Sequence, residues 1–125
     1  MILDTNALSA LADGDEALFA RLDAVPELYV PVVVLGEYRF GIEQSRYRRT
    51  YERWLDDALG DLAVLPILEP TARQYAKLFR ELKAAGTPIP TNDVSIAALC
   101  REHRLPLVSR DSHFAAVSAL RRVVW

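Results

Sequence analysis

Met1-Ile2-Leu3-Asp4-Thr5-Asn6 begins the chain, and Leu107-Val108-Ser109-Arg110-Asp111 lies near its other end. Each stretch is a short apolar run that stops at, or just before, an acid. Runs that are apolar throughout, without polar alternation, predict strands buried on both faces. Leu28-Tyr29-Val30, Ala63 to Leu65 and Arg122-Val123-Val124-Trp125 repeat the pattern. In parallel sheets ligands gather at the carboxyl ends of the strands. The residues that follow each run therefore matter most.

Helical patterns fill the intervals. Leu8 and Leu11 mark a short helix capped by Thr5 or Asn6 and stopped by Gly14. Asp15 can cap the next, which carries Leu18, Phe19, Leu22 and Val25. Val32 to Gln44 reads as a third, with Gly36 and Gly41 inside it, where close helix packing or room for a ligand would explain them. Tyr47, Tyr51, Trp54, Leu55, Ala58 and Leu62 form an apolar stripe on a fourth. Its charged face carries Arg46, Arg48, Arg49 and Arg53, read as solvated, with Arg48–Glu52 and Arg53–Asp57 pairs. A fifth helix spans Thr71 to Ala85, with Phe79 on its apolar face. A sixth runs from about Asp93 to His103, capped by Thr91 or Asn92, and is apolar on most sides. All seven prolines read as punctuation between elements. The expected fold class is α/β, a three-layer α/β/α sandwich around a central, mainly parallel sheet of about five short strands.

The composition fits one globule. The 125 residues are 51% hydrophobic and 26% charged, so residues 1–125 are expected to form a single domain. A formal net charge of −2 excludes a wholly basic nucleic-acid wrapper. The one cysteine, Cys100, excludes an internal disulfide and a cysteine-based zinc site, and reads as an inert buried thiol. No apolar run can span a bilayer, and nothing resembles a secretory leader, so no membrane partner and a cytoplasmic location are expected.

Four acids stand beside segments that should be buried. Asp4 ends the first strand and Asp111 follows the fourth. Asp93 opens the sixth helix, and Glu37 interrupts the apolar run of the third. Singly, they could serve as turn, cap or helix-dipole residues. Drawn to one sheet edge, they would repel one another, so either their pKa values rise or a cation neutralises them. Hard divalent cations take such oxygen ligands. His103 reads as a helix-end residue and His113 as a surface one or a partner of the nearby acids.

Asp4-Thr5-Asn6, Leu35-Gly36-Glu37, Asn92-Asp93 before Ile96-Ala97-Ala98, and Leu107-Val108-Ser109-Arg110-Asp111-Ser112-His113-Phe114 together resemble the PIN domain. Within that family the resemblance is to the VapC-type toxin nucleases of bacterial toxin–antitoxin pairs, and it covers essentially the whole chain. It implies a metal-dependent endoribonuclease that hydrolyses RNA phosphodiester bonds. Asp4, Glu37, Asp93 and Asp111 carry over as catalytic and metal-binding acids for one or two Mg²⁺ or Mn²⁺ ions per subunit. Asp4 and Asp93 are expected as direct ligands of the first ion, with Asp111 in the same cluster. Glu37 is the candidate for a second ion or for orienting the attacking water. Ser109 replaces the more usual Thr, and with Asn6 it is expected to hydrogen-bond the acids. Arg110 is expected to contact RNA phosphate. The resemblance also implies an RNA substrate, a separately encoded VapB-like antitoxin and a homodimer that can join the antitoxin in a hetero-oligomer.

Other classes fit less well. A receiver-like signalling domain needs paired acids after its first strand, and an Asp-x-Asp phosphatase needs an acid where Asn6 stands. The non-enzyme alternative is a catalytically silent PIN-like scaffold or binding module, against which the four intact acids count. Setting those four aside leaves 13 acids against 15 bases, so the acidic excess belongs to the candidate site.

Overall fold

In the computed structural model, which describes all of residues 1–125, five strands form one sheet. They are β1 (Ile2–Leu3), β2 (Leu28–Pro31), β3 (Leu62–Leu65), β4 (Leu107–Val108) and β5 (Arg122–Val123). Their spatial order is β3-β2-β1-β4-β5, and every neighbouring pair is parallel. Six helices cover the sheet to give the α/β/α sandwich: α1 (Thr5–Ala12), α2 (Glu16–Leu22), α3 (Val32–Glu43), α4 (Arg48–Ala58), α5 (Glu69–Ala84) and α6 (Thr91–His103). A 3₁₀ turn at Ser112–Ala116 leads away from β4.

Two-residue strands hold their place because burial supports them. Ile2, Leu3, Leu107 and Val108 have no exposed surface. They anchor a 26-residue core that includes Leu8, Leu18, Val30, Leu55, Leu78, Ile96, Leu99 and Phe114. α6 buries Val94, Ile96, Ala97, Ala98, Leu99 and Cys100, as its apolar circumference predicts, and Asp93 with them. The strand order reverses at β1, with β2 and β3 on one side and β4 and β5 on the other. The crevice beyond the carboxyl ends of β1 and β4 is thus the topological switch point of the sheet.

Several local expectations are corrected. Asp4, not Thr5 or Asn6, is the N-cap of α1. Its backbone stays extended from β1, and its carboxylate accepts from the Thr5 N–H. Asp15 caps α2 through the Leu18 N–H, as expected. α6 starts at Thr91 behind an extended Pro90, without a side-chain cap, so Thr91 and Asn92 lie inside its first turn. Pro31 closes β2, and Pro70 sits at the second position of α5, where its missing N–H would have no helical partner anyway. α4 stops at Ala58 because the Gly60 and Asp61 amides turn back onto Asp57 and Ala58, which moves Leu62 into β3.

Three aromatic positions also differ from the simple stripe. Tyr47 precedes α4, is 55% exposed, and has the Arg46 guanidinium 5.0 Å from its ring centre. Phe79 is exposed on the flank of α5, stacked on Tyr75. Phe19 on α2 is exposed while Leu18 and Leu22 are buried. On the charged face, Arg48 pairs with Glu52 as expected, and also with Glu43.

Close packing does not account for the glycines of α3. A Cβ at Gly36 or Gly41 would meet nothing within 4 Å. Gly36→Ala should therefore stabilise the isolated chain by about 0.5–1 kcal/mol through helix propensity. Urea unfolding with an unchanged m-value measures it; a loss of stability would show a contact that the fold does not contain.

Candidate active site

Asp4 stands where β1 becomes α1 and is 4% exposed. Burial of a carboxylate requires donors, and the chain supplies three. The Thr5 N–H reaches Oδ1 at 2.8 Å; the Asn6 Nδ2 reaches Oδ2 at 2.8 Å and the Ser109 hydroxyl reaches it at 2.7 Å. Ser109 is fully buried and arrives from the end of β4. Its Oγ in turn accepts from the Asp111 N–H at 3.0 Å. Asn6 completes the bridge between the strand ends, since its Oδ1 accepts from the Arg110 N–H at 3.0 Å. One hydroxyl and one amide thus tie the acid after β1 to the segment carrying Asp111. A threonine at position 109 could make the same bonds.

Asp93 and Asp111 face each other nearby. Asp93 is in the first turn of α6 and is 9% exposed. Asp111 caps the 3₁₀ turn by accepting from the His113 N–H at 2.8 Å. That turn places the His113 imidazole against both acids, with Nδ1 3.3 Å from Asp93 Oδ2 and 3.2 Å from Asp111 Oδ1. One donor atom from each of Asp93, Asp111 and His113 lies within 4.8 Å of the others. Asp4 is outside this tightest group, but its charge bears on Asp93. Glu37, in the second turn of α3, accepts from the Asn92 amide at 3.3 Å and is thereby held beside Asp93. All four acids therefore influence one sheet edge.

The electrostatics follow from that crowding. Burial is the largest effect raising the Asp4 pKa; Asp111 adds to it, while the bonds from Ser109, Thr5 and Asn6 pull it back. Asp93 is pushed up to about 6, first by burial, then by the charges of Asp111 and Asp4. His113 opposes the rise and Glu37 reinforces it. A hard divalent cation suits these residues, because the donors are carboxylate oxygens and their charge is under-compensated by the chain.

Other titratable groups lie elsewhere. His103 is at the end of α6, 3.7 Å from Glu102. Cys100 is buried and its thiol is pushed up to about 12 by desolvation, which leaves it inert. His113 is the residue whose position sequence reading underrated. Its signal was the two-residue step from Asp111, the spacing of an Asp turn. Arg110 points towards Trp125. Its guanidinium lies 4.2 Å from the Trp125 ring centre and 3.4 Å from Asp15 Oδ2, and Nε donates to the Trp125 carbonyl. The Trp125 indole N–H also donates to Asp15.

The raised pKa of Asp93 has a defined sign. Below the ordinary carboxylate range both folded and unfolded chains hold the proton, and nothing is lost. Between that range and about pH 6 the folded chain keeps a proton that the unfolded chain releases, so stability falls as pH rises. Asp93→Asn should therefore raise the stability of the chain in EDTA at pH 7–8, with a ceiling of roughly 3 kcal/mol. The gain should vanish near pH 4. Denaturant melts at the two pH values test it, and a gain independent of pH would refute the electrostatic origin.

The comparisons with known proteins agree with this architecture. Residues 1–120 match the family described as the PIN domain. Ribonuclease VapC5 of Mycobacterium tuberculosis is 30% identical over 128 residues, an alignment covering 98% of this chain and 90% of that protein. Toxin FitB of Neisseria gonorrhoeae is 29% identical, with 93% and 92% covered. Among solved structures, VapBC2 from Rickettsia felis, bound to a DNA fragment from its promoter, superposes with a TM-score of 0.91 at 22% identity, covering 99% of this chain and 97% of that one. FitAcB from Neisseria gonorrhoeae superposes at 0.84 with 27% identity, covering 97% and 94%. By sequence and by fold, the chain belongs to the PIN domain family.

Proposed function

We propose that this protein is a metal-dependent endoribonuclease of the VapC toxin type, held silent by a cognate VapB-like antitoxin. The observation that carries the reading is the meeting of Asp4, Asp93 and Asp111 at the switch point of the sheet, with Glu37 alongside. A scaffold has no need of two buried acids, Asp4 and Asp93, whose pKa values are raised by burial and by neighbouring carboxylates, whereas a metallonuclease depends on such a cluster. The relatives named ribonucleases extend the reading to RNA, and the VapBC and FitAcB structures extend it to an antitoxin partner. The proposal includes a homodimer and a cytoplasmic location, as the resemblance to the VapC-type toxins implies. No helix is long and apolar enough to cross a membrane.

Asp4, Asp93 and Asp111 would hold Mg²⁺ or Mn²⁺, with Glu37 placed for a second ion or for the attacking water. When bound, the metal supplies Lewis-acid activation of water and stabilises charge on the phosphodiester oxygens. The chain's own residues set the stage for that chemistry. Ser109 and Asn6 fix the Asp4 carboxylate through bonds to Oδ2 and keep the Asp111 segment against it. Glu37, steadied by Asn92, can accept a proton from the incoming water. His113 pairs with Asp93 and Asp111, and its imidazole would have to yield that position to the cation. Arg110 is half exposed, and its guanidinium, which rests on Trp125 and Asp15 in the absence of RNA, is the proposed contact for an RNA phosphate. Arg46, Arg49 and Arg53 leave positive charge on the same molecule for a longer strand.

The full chain should cleave RNA with Mg²⁺ or Mn²⁺ and stop in EDTA. Asp4→Asn and Asp93→Asn should fall to the metal-free background while remaining folded by circular dichroism. Ser109→Ala should lose about 10–100-fold, as outer hydrogen-bonding partners of metal ligands do, and Ser109→Thr should restore most of it. Full metal-dependent activity in Asp93→Asn would refute the assignment.

A further inference from the structure

His113 is the one residue at the acid cluster that offers a ring nitrogen. Its Nδ1 stands 3.3 Å from Asp93 Oδ2 and 3.2 Å from Asp111 Oδ1. One donor atom from each of the three residues lies within 4.8 Å of the others. Neighbouring donors of an octahedral ion with bonds of about 2.1 Å stand about 3 Å apart, and opposite donors about 4.2 Å. The three side chains already hold spacings of that order. Nδ1 can meet the two carboxylates across a shared proton or across a shared cation. The place it yields to a cation is that of the proton, and the nitrogen itself can stay beside both acids.

The fold fixes the imidazole there. Phe114 follows it in the chain, is 2% exposed, and anchors the 3₁₀ turn in the core. The Asp111 carboxylate accepts from the His113 N–H at 2.8 Å, and Arg122 donates to the Asp111 carbonyl. The turn is thus pinned on both sides of Asp111, while the His113 side chain stays half exposed and open to an arriving ion. Asp4 has less to give. A carboxylate offers about four acceptor sites, and the Thr5, Asn6 and Ser109 donors engage three of those on Asp4. An ion held by Asp93 and Asp111 therefore finds its next uncommitted donor in His113.

We propose that His113 is a direct nitrogen ligand of the catalytic ion, through Nδ1 and alongside Asp93 and Asp111, and that it selects a first-row transition-metal dication over Mg²⁺. Affinity for a site with nitrogen rises from Mn²⁺ along the first-row series. Mg²⁺ keeps to oxygen ligands and gives up its waters reluctantly. The inference rests on the metallonuclease reading and narrows its metal. The competing role for His113 is that of a cation that balances the acids when no metal is bound. The two roles predict opposite signs. Removing a ligand weakens metal binding, whereas removing a rival cation strengthens it for every ion alike.

The test uses the full chain, stripped of metal with EDTA and then dialysed. MnCl₂ is titrated in and the free ion followed by electron paramagnetic resonance, with MgCl₂ as competitor. The wild type should prefer Mn²⁺. His113→Ala should bind Mn²⁺ at least about tenfold more weakly, since losing even an outer partner of a metal ligand costs that much, while Mg²⁺ binding changes far less. His113→Asp, which offers oxygen at the same place, should bind both ions and lose the preference. Spin-echo modulation of the Mn²⁺ complex of protein labelled with ¹⁵N-histidine reads the bond directly. The chain has two histidines, and His103 is at the other end of α6. The ¹⁵N coupling should therefore persist in His103→Gln and vanish in His113→Ala, with circular dichroism showing that both variants fold. Absence of ¹⁵N coupling in the wild type, or Mn²⁺ affinity that is unchanged or tighter in His113→Ala, overturns the ligand role and leaves the metallonuclease reading standing. Failure of the wild type to bind either ion removes that reading and the inference with it.

Discussion

The β1–β4 ladder is the constraint on which the rest depends. Ile2 pairs with Leu107 and Leu3 with Val108, and that register brings Asp4 level with Ser109. A slip of one residue would turn the opposite face of β4 towards the crevice and carry the Ser109 hydroxyl away from Asp4. The ladder is only two residues long, so it cannot hold its own register by backbone bonds alone. Complete burial of its four side chains does that work from both sides of the sheet. The Asp4–Ser109–Asp111 bonds then fix the register from the polar end.

Stability and function oppose each other at this edge. An apolar core gains from every group it removes from water, and the same burial penalises Asp4 and Asp93. The fold tolerates the penalty because hydrogen bonds compensate Asp4 and His113 partly compensates Asp93. The remaining imbalance is a standing attraction for a cation. Without the metal the same edge would repel the RNA backbone, so metal and RNA affinity should be coupled. The site's acids also outweigh a slight basic excess elsewhere in the chain, which is the balance expected when metal mediates contact with a polyanion.

Residue positions within elements explain where sequence reading succeeded. Asp4 and Asp111 lie just beyond strands, where an apolar run stops, and Asp93 lies in the first turn of α6, just before an apolar run. Such boundaries are visible in one dimension. So is the burial of α6, whose side chains are apolar around most of the circumference. The choice of cap was less visible. Asp4, Thr5 and Asn6 can each cap a helix, and only the extended backbone inherited from β1 selects Asp4. His113 illustrates a different limit, because its imidazole is brought to Asp93 by a turn whose geometry depends on the Asp111 cap. Tyr47 and Phe79 have apolar rings, but a bend before α4 and the flank of α5 leave them in water.

The sequence by itself determined the class of fold, the rhythm of strands and helices, and the acids available for chemistry. These follow from local periodicity and from the cost of burying charge, both of which act over a few residues. Tertiary structure decided what meets what. Asp4 and Ser109 are separated by 105 positions, and only the crossing from β1 to β4 at the centre of the sheet makes them neighbours. The cavity shared by α1, α3 and α4 has the same origin. Thr5, Asp13, Tyr38 and Tyr51 carry no common local pattern, and packing alone assembles them.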